Sequence, residues 1–221
     1  KRIASPEEIK GPVIVKLPGA EGGRGYFIAD SPQDYAKKMK AVRGRGLLRD
    51  GEEEDVFIQE YIIGVSLYPH YFFSPLTGKV ELLGCDRRYE TSVDGIGRIS
   101  AKDQLEIGLT PTFRVIGNSP LVLRESLLMD IFRDGEGFVE ASKRLVKPGA
   151  IGPYCLEMIC DEGGKLYTFE FSGRIVAGTN LFVNGSPYSD LIYDEPMSMG
   201  RRIAREIRKA AECGEMDRIT T

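Results

Sequence analysis

Apolar and polar residues alternate in short runs along much of this chain, and a run bounded by glycine, proline or charge predicts a strand. Val13 to Lys16 reads VIVK, and apolar residues resume at Tyr26 and Phe27 after a glycine-rich loop, which predicts a hairpin. Val56 to Ile63 (VFIQEYII) alternates up to Gly64, and Leu67 to Ser74 continues in the same style. Val80 to Asp86 predicts another strand, leading into the charged cluster Arg87, Arg88, Tyr89 and Glu90. Helix signals fall between these runs. Ser31, Pro32 and Asp34 supply an N-cap, a first-turn proline and a first-turn acid for a helix to about Ala41. Ser119 and Pro120 predict a helix to about Arg133, a second is expected from Glu136 to Val146, and Met199 to Glu212 closes the chain with Ile203, Ile207 and Ala211 on one face. Arg43 to Asp55, Thr91 to Gly117 and Arg174 to Tyr193 read as loop. The mixture, without a regular strand–helix–strand series, predicts an α+β fold.

The hairpin at 154–171 carries the first chemical signal. YCLEMIC and KLYTFEF flank Asp161, Glu162, Gly163 and Gly164, a turn sequence. Pairing across a loop of two or four residues sets Cys160 opposite Lys165, Glu157 opposite Thr168 and Cys155 opposite Glu170. One face then carries Tyr154, Leu156, Met158, Tyr167, Phe169 and Phe171, and the other carries Glu157 and Glu170 as diagonal neighbours, about 7–8 Å apart by Cα. Two carboxylates on a partly apolar face repel each other unless a cation or proton lies between them, and a hard divalent ion such as magnesium suits them. A solvated face with two unrelated glutamates is the alternative. Arg174, four residues after Glu170, is placed to meet a transferring phosphoryl group, or else to pair with a structural acid.

The loop LPGAEGGRGYF adds a second signal. Backbone N–H groups of a glycine-rich loop close around phosphate oxygens, and Lys16 at the end of the preceding strand offsets their charge. The lysine precedes the glycines, unlike the Walker pattern. An ordinary glycine-rich hairpin is the competing reading.

Composition narrows the partners. Of 221 residues, 42% are hydrophobic, enough for one large domain or two small lobes. Thirty basic and thirty-three acidic residues leave a net charge of −3 without a basic block, which argues against a nucleic-acid polymer. No apolar stretch reaches the roughly 18 residues of a membrane span, so no membrane partner is expected and the compartment read from the sequence is cytoplasmic. Cys85, Cys155, Cys160 and Cys213 are irregularly spaced with one histidine, His70, in the chain, so reduced and mostly buried thiols are expected rather than a zinc site. His70, in an aromatic strand, reads as structural. A chain that opens on Lys1 just before its first strand leads one to expect further sequence upstream.

Lysine strand, glycine lid, the QEYI segment and a carboxylate hairpin followed by arginine together resemble the ATP-grasp fold. The strings LPGAEGGRGYF, YPHYFFSP, DRRYE, GRISAKDQLE, LRESLLMD and RIVAGTNLFVNGSPY resemble, across essentially the whole chain, the archaeal formate-dependent synthetases of purine biosynthesis. That resemblance implies two α+β lobes clamping ATP, a small lobe over 1–66 with lid and hinge and a large lobe over 67–221 with the metal site. It implies that Lys16, Gly22, Gly23 and Gly25 meet the phosphates, Gln59, Glu60, Tyr61 and Ile62 read adenine, and Glu90 contacts ATP. By the same likeness Glu157 and Glu170 bind magnesium or manganese, Lys16 and Arg174 support catalysis, and Asn118 contacts the substrate. Arg124, with Arg87, Arg88, Arg98 and Lys102, is a candidate for its phosphate and ribose. The pattern departs at Ser172, where many members place asparagine as a further metal ligand. The implied activity joins formate to the amine of aminoimidazole carboxamide ribonucleotide (AICAR) through formyl phosphate, within a homo-oligomer. A ligase with another acceptor, or a nucleotide-binding scaffold without catalysis, are the rival readings.

Overall fold

The structure, a computed structural model, describes residues 1–20, 25–49, 51–109 and 111–220. They fall into two compact units, one of Lys1–Gly64 with Tyr89–Gly117 and one of Val65–Arg88 with Asn118–Thr221. This differs from a single cut after residue 66: the chain leaves the second unit at Arg88, inside a strand, and re-enters it at Asn118.

The first unit is built on β1 (Arg2–Ile3), β2 (Val13–Lys16), β3 (Tyr26–Ala29) and β4 (Phe57–Glu60), in the order β1-β4-β2-β3. β2 pairs antiparallel with β3, Lys16 opposite Tyr26, which is the expected hairpin, and with β4, Lys16 opposite Phe57. Val13, Val15, Ala29 and Ile58 alternate onto one face and bury there with Ile9. Helix α1 (Pro32–Gly44) starts as expected, Ser31 Oγ accepting from Asp34 N at 3.2 Å. It runs past Ala41, and Met39 joins Leu17 and Leu48 in a second small core.

Residues 91–117 hold more order than a loop. They form α2 (Thr91–Ile96) and α3 (Ala101–Glu106), each too short to show a helical repeat in sequence. Buried Gln104 locks them: its Nε2 donates to Ile96 O at 3.1 Å and Ile99 O at 2.8 Å, while its Oε1 accepts from Tyr61 Oη at 3.1 Å.

The other sheet contains β5 (Val65–Ser74), β6 (Lys79–Glu90), β7 (Val115–Pro120), β8 (Gly152–Cys160) and β9 (Leu166–Ser172), in the order β7-β6-β5-β8-β9. β7 corrects the expected helix at Ser119: that segment is a strand, and α4 (Glu125–Leu145) begins after it. α4 is one helix where two were expected. Gly135 does not break it, because a close approach needs it there: a Cβ would lie 2.6 Å from the Tyr71 ring, and Gly135 O accepts from Tyr154 Oη at 2.9 Å. Tyr71 and Tyr154 stack at 4.9 Å beside Leu82, Ile131, Leu156 and Met158 in the main core. Replacing Gly135 with alanine therefore has an expected cost despite alanine's better helix propensity. Propensity favours the change by about 1 kcal/mol, and overpacking against the buried Tyr71 ring costs roughly 1–3 kcal/mol or more. A lower denaturant midpoint for Gly135→Ala measures the balance; a raised midpoint would contradict the packing.

The closing helix α5 (Met199–Cys213) matches expectation in extent but not in its buried face. Met199, Arg202, Glu206 and Ala210 are buried, whereas Ile207 is 47% exposed. Among the described residues, no helix is long and apolar enough to cross a membrane.

Candidate active site

The DEGG turn aligns the two acids more closely than the sequence implies. Asp161 N donates to Lys165 O at 3.0 Å, Asp161 Oδ1 accepts from Gly163 N and Lys165 N at 2.9 Å each, and Gly164 has φ +80°, leaving a three-residue loop at 162–164. Three residues in place of two or four shift the register by one, so Cys160 pairs with Leu166 and Met158 with Thr168. That slip turns Leu166 and Thr168 toward the core side, where Leu166 packs and Thr168 Oγ1 meets Asp134 Oδ2 at 3.3 Å. A bulge between Glu157 and Met158 then restores the acids to one face and sets Glu157 directly opposite Glu170. Cross-strand partners lie about 4.5–5.5 Å apart by Cα, against the diagonal spacing expected. Cys155 pairs with Ser172 instead of Glu170, and Phe171 is 59% exposed although its ring still touches Phe138 at 4.9 Å.

Glu157 is buried, and its surroundings show the cost of that charge. Burial pushes its carboxyl above the usual glutamate value, and the Glu170 charge pushes the same way; Arg88 opposes both. Arg88 Nη1 donates to Glu157 Oε2 at 3.2 Å, with its guanidinium 3.7 Å from the Tyr68 ring centre. Ser172 Oγ donates to Glu157 Oε1 at 3.4 Å, so the serine reaches the site that asparagine is expected to serve. Arg88 thus serves a carboxylate in this structure, where the sequence reading groups it with candidate substrate contacts. Among the described residues, no group of three or more His, Cys, Asp or Glu side chains is arranged to hold a metal. Two hard carboxylates fit magnesium, which takes most of its ligands from phosphate and water.

Other expected residues are placed as follows. Lys16 ends β2, with Leu17 N donating to Gly25 O at 2.8 Å just beyond it. Gly25 has φ +79°, a conformation suited to glycine, and Gly22 and Gly23 lie outside the described residues. Gln59 and Glu60 end β4, and Tyr61 N donates to Pro12 O at 3.0 Å, with Ile62 following. Glu90 ends β6 and its N–H donates to Asp94 Oδ2. Arg174 is exposed, its Nη1 donating to Ile175 O at 2.9 Å, and Arg124 is exposed at the start of α4. Asn118 lies on β7 and bonds to Asp86, a buried acid outside the expected site residues. The signal was an aspartate placed between the apolar LLGC and two arginines. Cys85 and Cys155 are buried free thiols, burial pushing Cys85 up to about 12, whereas Cys213 is exposed.

These sheets and the carboxylate hairpin are those of an ATP-grasp protein. Over all of this chain, and 62% of the other, the fold matches the crystal structure of an IMP biosynthesis protein PurP from Thermococcus kodakaraensis, with TM-score 0.67 and 29% identity. N5-carboxyaminoimidazole ribonucleotide synthetase from Thermotoga maritima shares the fold over 94% of this chain and 43% of its own, at TM-score 0.56 and 16% identity. The chain belongs to the family described as a domain of unknown function, DUF1297, whose model matches residues 34–221. It is 51% identical over 219 residues to the 5-formaminoimidazole-4-carboxamide-1-(beta)-D-ribofuranosyl 5'-monophosphate synthetase of Methanocaldococcus jannaschii, covering 99% of this chain and 61% of that one. The synthetase of the same name from Pyrococcus abyssi is 56% identical over 217 residues, covering 98% and 63%. The resemblance read from the sequence strings is thereby borne out, and the chain spans a little under two thirds of the length of these relatives.

Proposed function

We propose that the protein is an ATP-dependent ligase joining formate to the 5-amino group of AICAR, yielding the formylated ribonucleotide (FAICAR), ADP and phosphate in purine biosynthesis. The observation that carries this is the opposed Glu157–Glu170 pair, one acid buried at a net energetic cost, in a chain about half identical to synthetases named for that product. Two carboxylates set opposite each other repel, and a cation between them relieves that repulsion. Magnesium or manganese, when bound there, neutralises phosphate charge and orients the polyphosphate.

Formate is a poor acyl donor until its oxygen is phosphorylated. In the proposed course a formate oxygen attacks the γ-phosphorus in line, the bond to the ADP oxygen breaks, and formyl phosphate results. The AICAR amine then attacks the formyl carbon, phosphate leaves, and the nitrogen loses its proton. Lys16 and Arg174 are assigned to the charge on the transferred phosphoryl group. The glycine segment with Gly22, Gly23 and Gly25 is assigned to the phosphates, where exclusion of water protects the acyl phosphate. Gln59, Glu60, Tyr61 and Ile62 are assigned to adenine, Glu90 to ATP, and Asn118 and Arg124 to AICAR. A cytoplasmic, homo-oligomeric enzyme acting on small molecules belongs to the same reading.

The test is ADP release by the full-length protein with ATP, magnesium and AICAR, with and without formate, following product by mass. Formate-dependent ADP with a product heavier by one formyl group is the expected result. ADP without formylated product would move the reading to another acceptor, and no ADP at all would remove catalysis from it.

A further inference from the structure

Asn118 ends a buried line of hydrogen bonds that crosses three neighbouring strands of the second unit. Its Nδ2 donates to Asp86 Oδ2 at 2.6 Å. The other oxygen, Asp86 Oδ1, lies 2.6 Å from His70 Nε2, and His70 Nδ1 lies 3.1 Å from Thr179 Oγ1. His70, Asp86 and Thr179 are 1%, 0% and 9% exposed. The short turn Ala177–Phe182 is pressed onto this line. A Cβ at Gly178 would sit 2.1 Å from Asp86 Oδ1, and a Cβ at Gly84, the β6 partner of His70, 2.7 Å from the Phe182 ring. Glycine alone fits either place, so the turn closes tightly on Asp86 at Gly178 and seats the Phe182 ring on Gly84.

Asp86 Oδ2 accepts from the Asn118 amide, and its second oxygen faces the His70 ring. Asn118 must turn its NH2 inward, since its carbonyl against the carboxylate would oppose two acceptors in a buried place. This fixes the remaining atom: Asn118 keeps Oδ1, an acceptor, for anything that approaches it. An asparagine without such an anchor can present either end of its amide. Here, reversing it forfeits a charge-assisted bond and strands a buried carboxylate oxygen.

We infer that Asp86, itself held by His70 and Thr179, is a positioning residue that sets Asn118 as a hydrogen-bond acceptor for a nitrogen donor of the substrate, its amine or its carboxamide. The inference rests on the proposed assignment of Asn118 to AICAR. It makes selectivity for an N–H group a property of the buried aspartate, because a site holding an outward acceptor disfavours a ligand that presents oxygen in the same place.

The test compares KM for AICAR and KM for ATP in the full-length wild type, Asp86→Asn and Thr179→Val. An amide at 86 cannot accept from both neighbours, so Asn118 is released to reverse. KM for AICAR in Asp86→Asn is expected to rise by roughly ten- to a hundredfold, with KM for ATP unchanged. Thr179→Val keeps the side-chain shape and removes only the far support, so a smaller rise of about threefold is expected, again for AICAR alone. Thr179→Val decides the matter if Asp86→Asn does not fold. An unchanged KM for AICAR in the folded variants, beside a normal wild type, overturns the inference alone. Equal rises for ATP and AICAR give the line a merely structural role and overturn it as well. A wild type whose turnover ignores AICAR overturns the functional reading and this inference together.

Discussion

The Glu157→Gln protein is expected to lose ADP release by at least a factor on the order of a hundred while keeping its fold. The loss follows from charge. A carboxylate holds a divalent cation, and a neutral amide of the same shape does not. Retention of the fold follows from a balance of terms around the same side chain. The substitution relieves a charge that burial and Glu170 both oppose. It weakens the bond to Arg88, but the amide oxygen still accepts from Nη1, and the guanidinium keeps its place over Tyr68. Breaking a buried pair outright costs roughly 3–5 kcal/mol, whereas here one hydrogen-bonding partner is exchanged for a weaker one, at about 1 kcal/mol. Glu170→Gln offers a control, because Glu170 is itself exposed and its replacement should remove activity with a smaller change in melting temperature. Steady-state ADP assays beside thermal melts measure both. A Glu157→Gln enzyme with normal turnover would remove the metal assignment, and an unfolded one would show that the carboxylate is structural.

What the sequence disclosed of this site, and what it hid, divides along physical lines. The presence of two acids on adjacent strands was legible, because a DEGG turn between two apolar runs leaves little freedom in what pairs with what. Their direct opposition was not. It depends on a three-residue loop closed by Asp161 and on a bulge beside Glu157, and each moves the register by one residue. Both shifts are small energetic choices made by backbone geometry, and together they return Glu170 to the face that the simple alternation assigned it. The hairpin of Lys16 was similarly plain, since β-branched residues end on it and the pairing with Tyr26 is local. Helix α4 misled because glycine at 135 reads as a break, whereas the buried ring of Tyr71, from a distant strand, leaves no room for a Cβ there. The LLGCDRR run marks Asp86 as an acid set beside an apolar strand, but the roles of Asp86 and Thr179 were illegible for the same reason. Those roles arise from contacts with His70 and Asn118, which lie on other strands, and local pattern does not show which partners meet.

Replacement of Arg202 by methionine is expected to cost the second unit roughly 3–5 kcal/mol. Hydrophobic periodicity on α5 points to Ile203, Ile207 and Ala211, yet the helix buries Arg202, whose side chain is 5% exposed. Its Nε and Nη2 donate to the two oxygens of Glu81 at 2.7 and 3.0 Å, and Nη1 donates to Glu206 Oε2 at 2.8 Å. The carboxylates have further donors in Tyr193 Oη, 2.6 Å from Glu81, and Ser74 Oγ, 2.6 Å from Glu206. Phe72 lies under the guanidinium at 4.1 Å. Methionine fills the space over Phe72 but leaves the largely buried carboxylates of Glu81 and Glu206 with one neutral donor apiece. The cost lies in those stranded charges more than in the lost arginine, because a well-made buried pair contributes little net stability. A second variant isolates this cause: Arg202→Met with Glu81→Gln and Glu206→Gln removes the charges and should recover most of the deficit. Denaturant midpoints of the wild type, the single variant and the triple variant measure the three states. A triple variant no more stable than Arg202→Met would place the cost in packing, and a single variant as stable as the wild type would deny the network any part in holding α5 to the sheet.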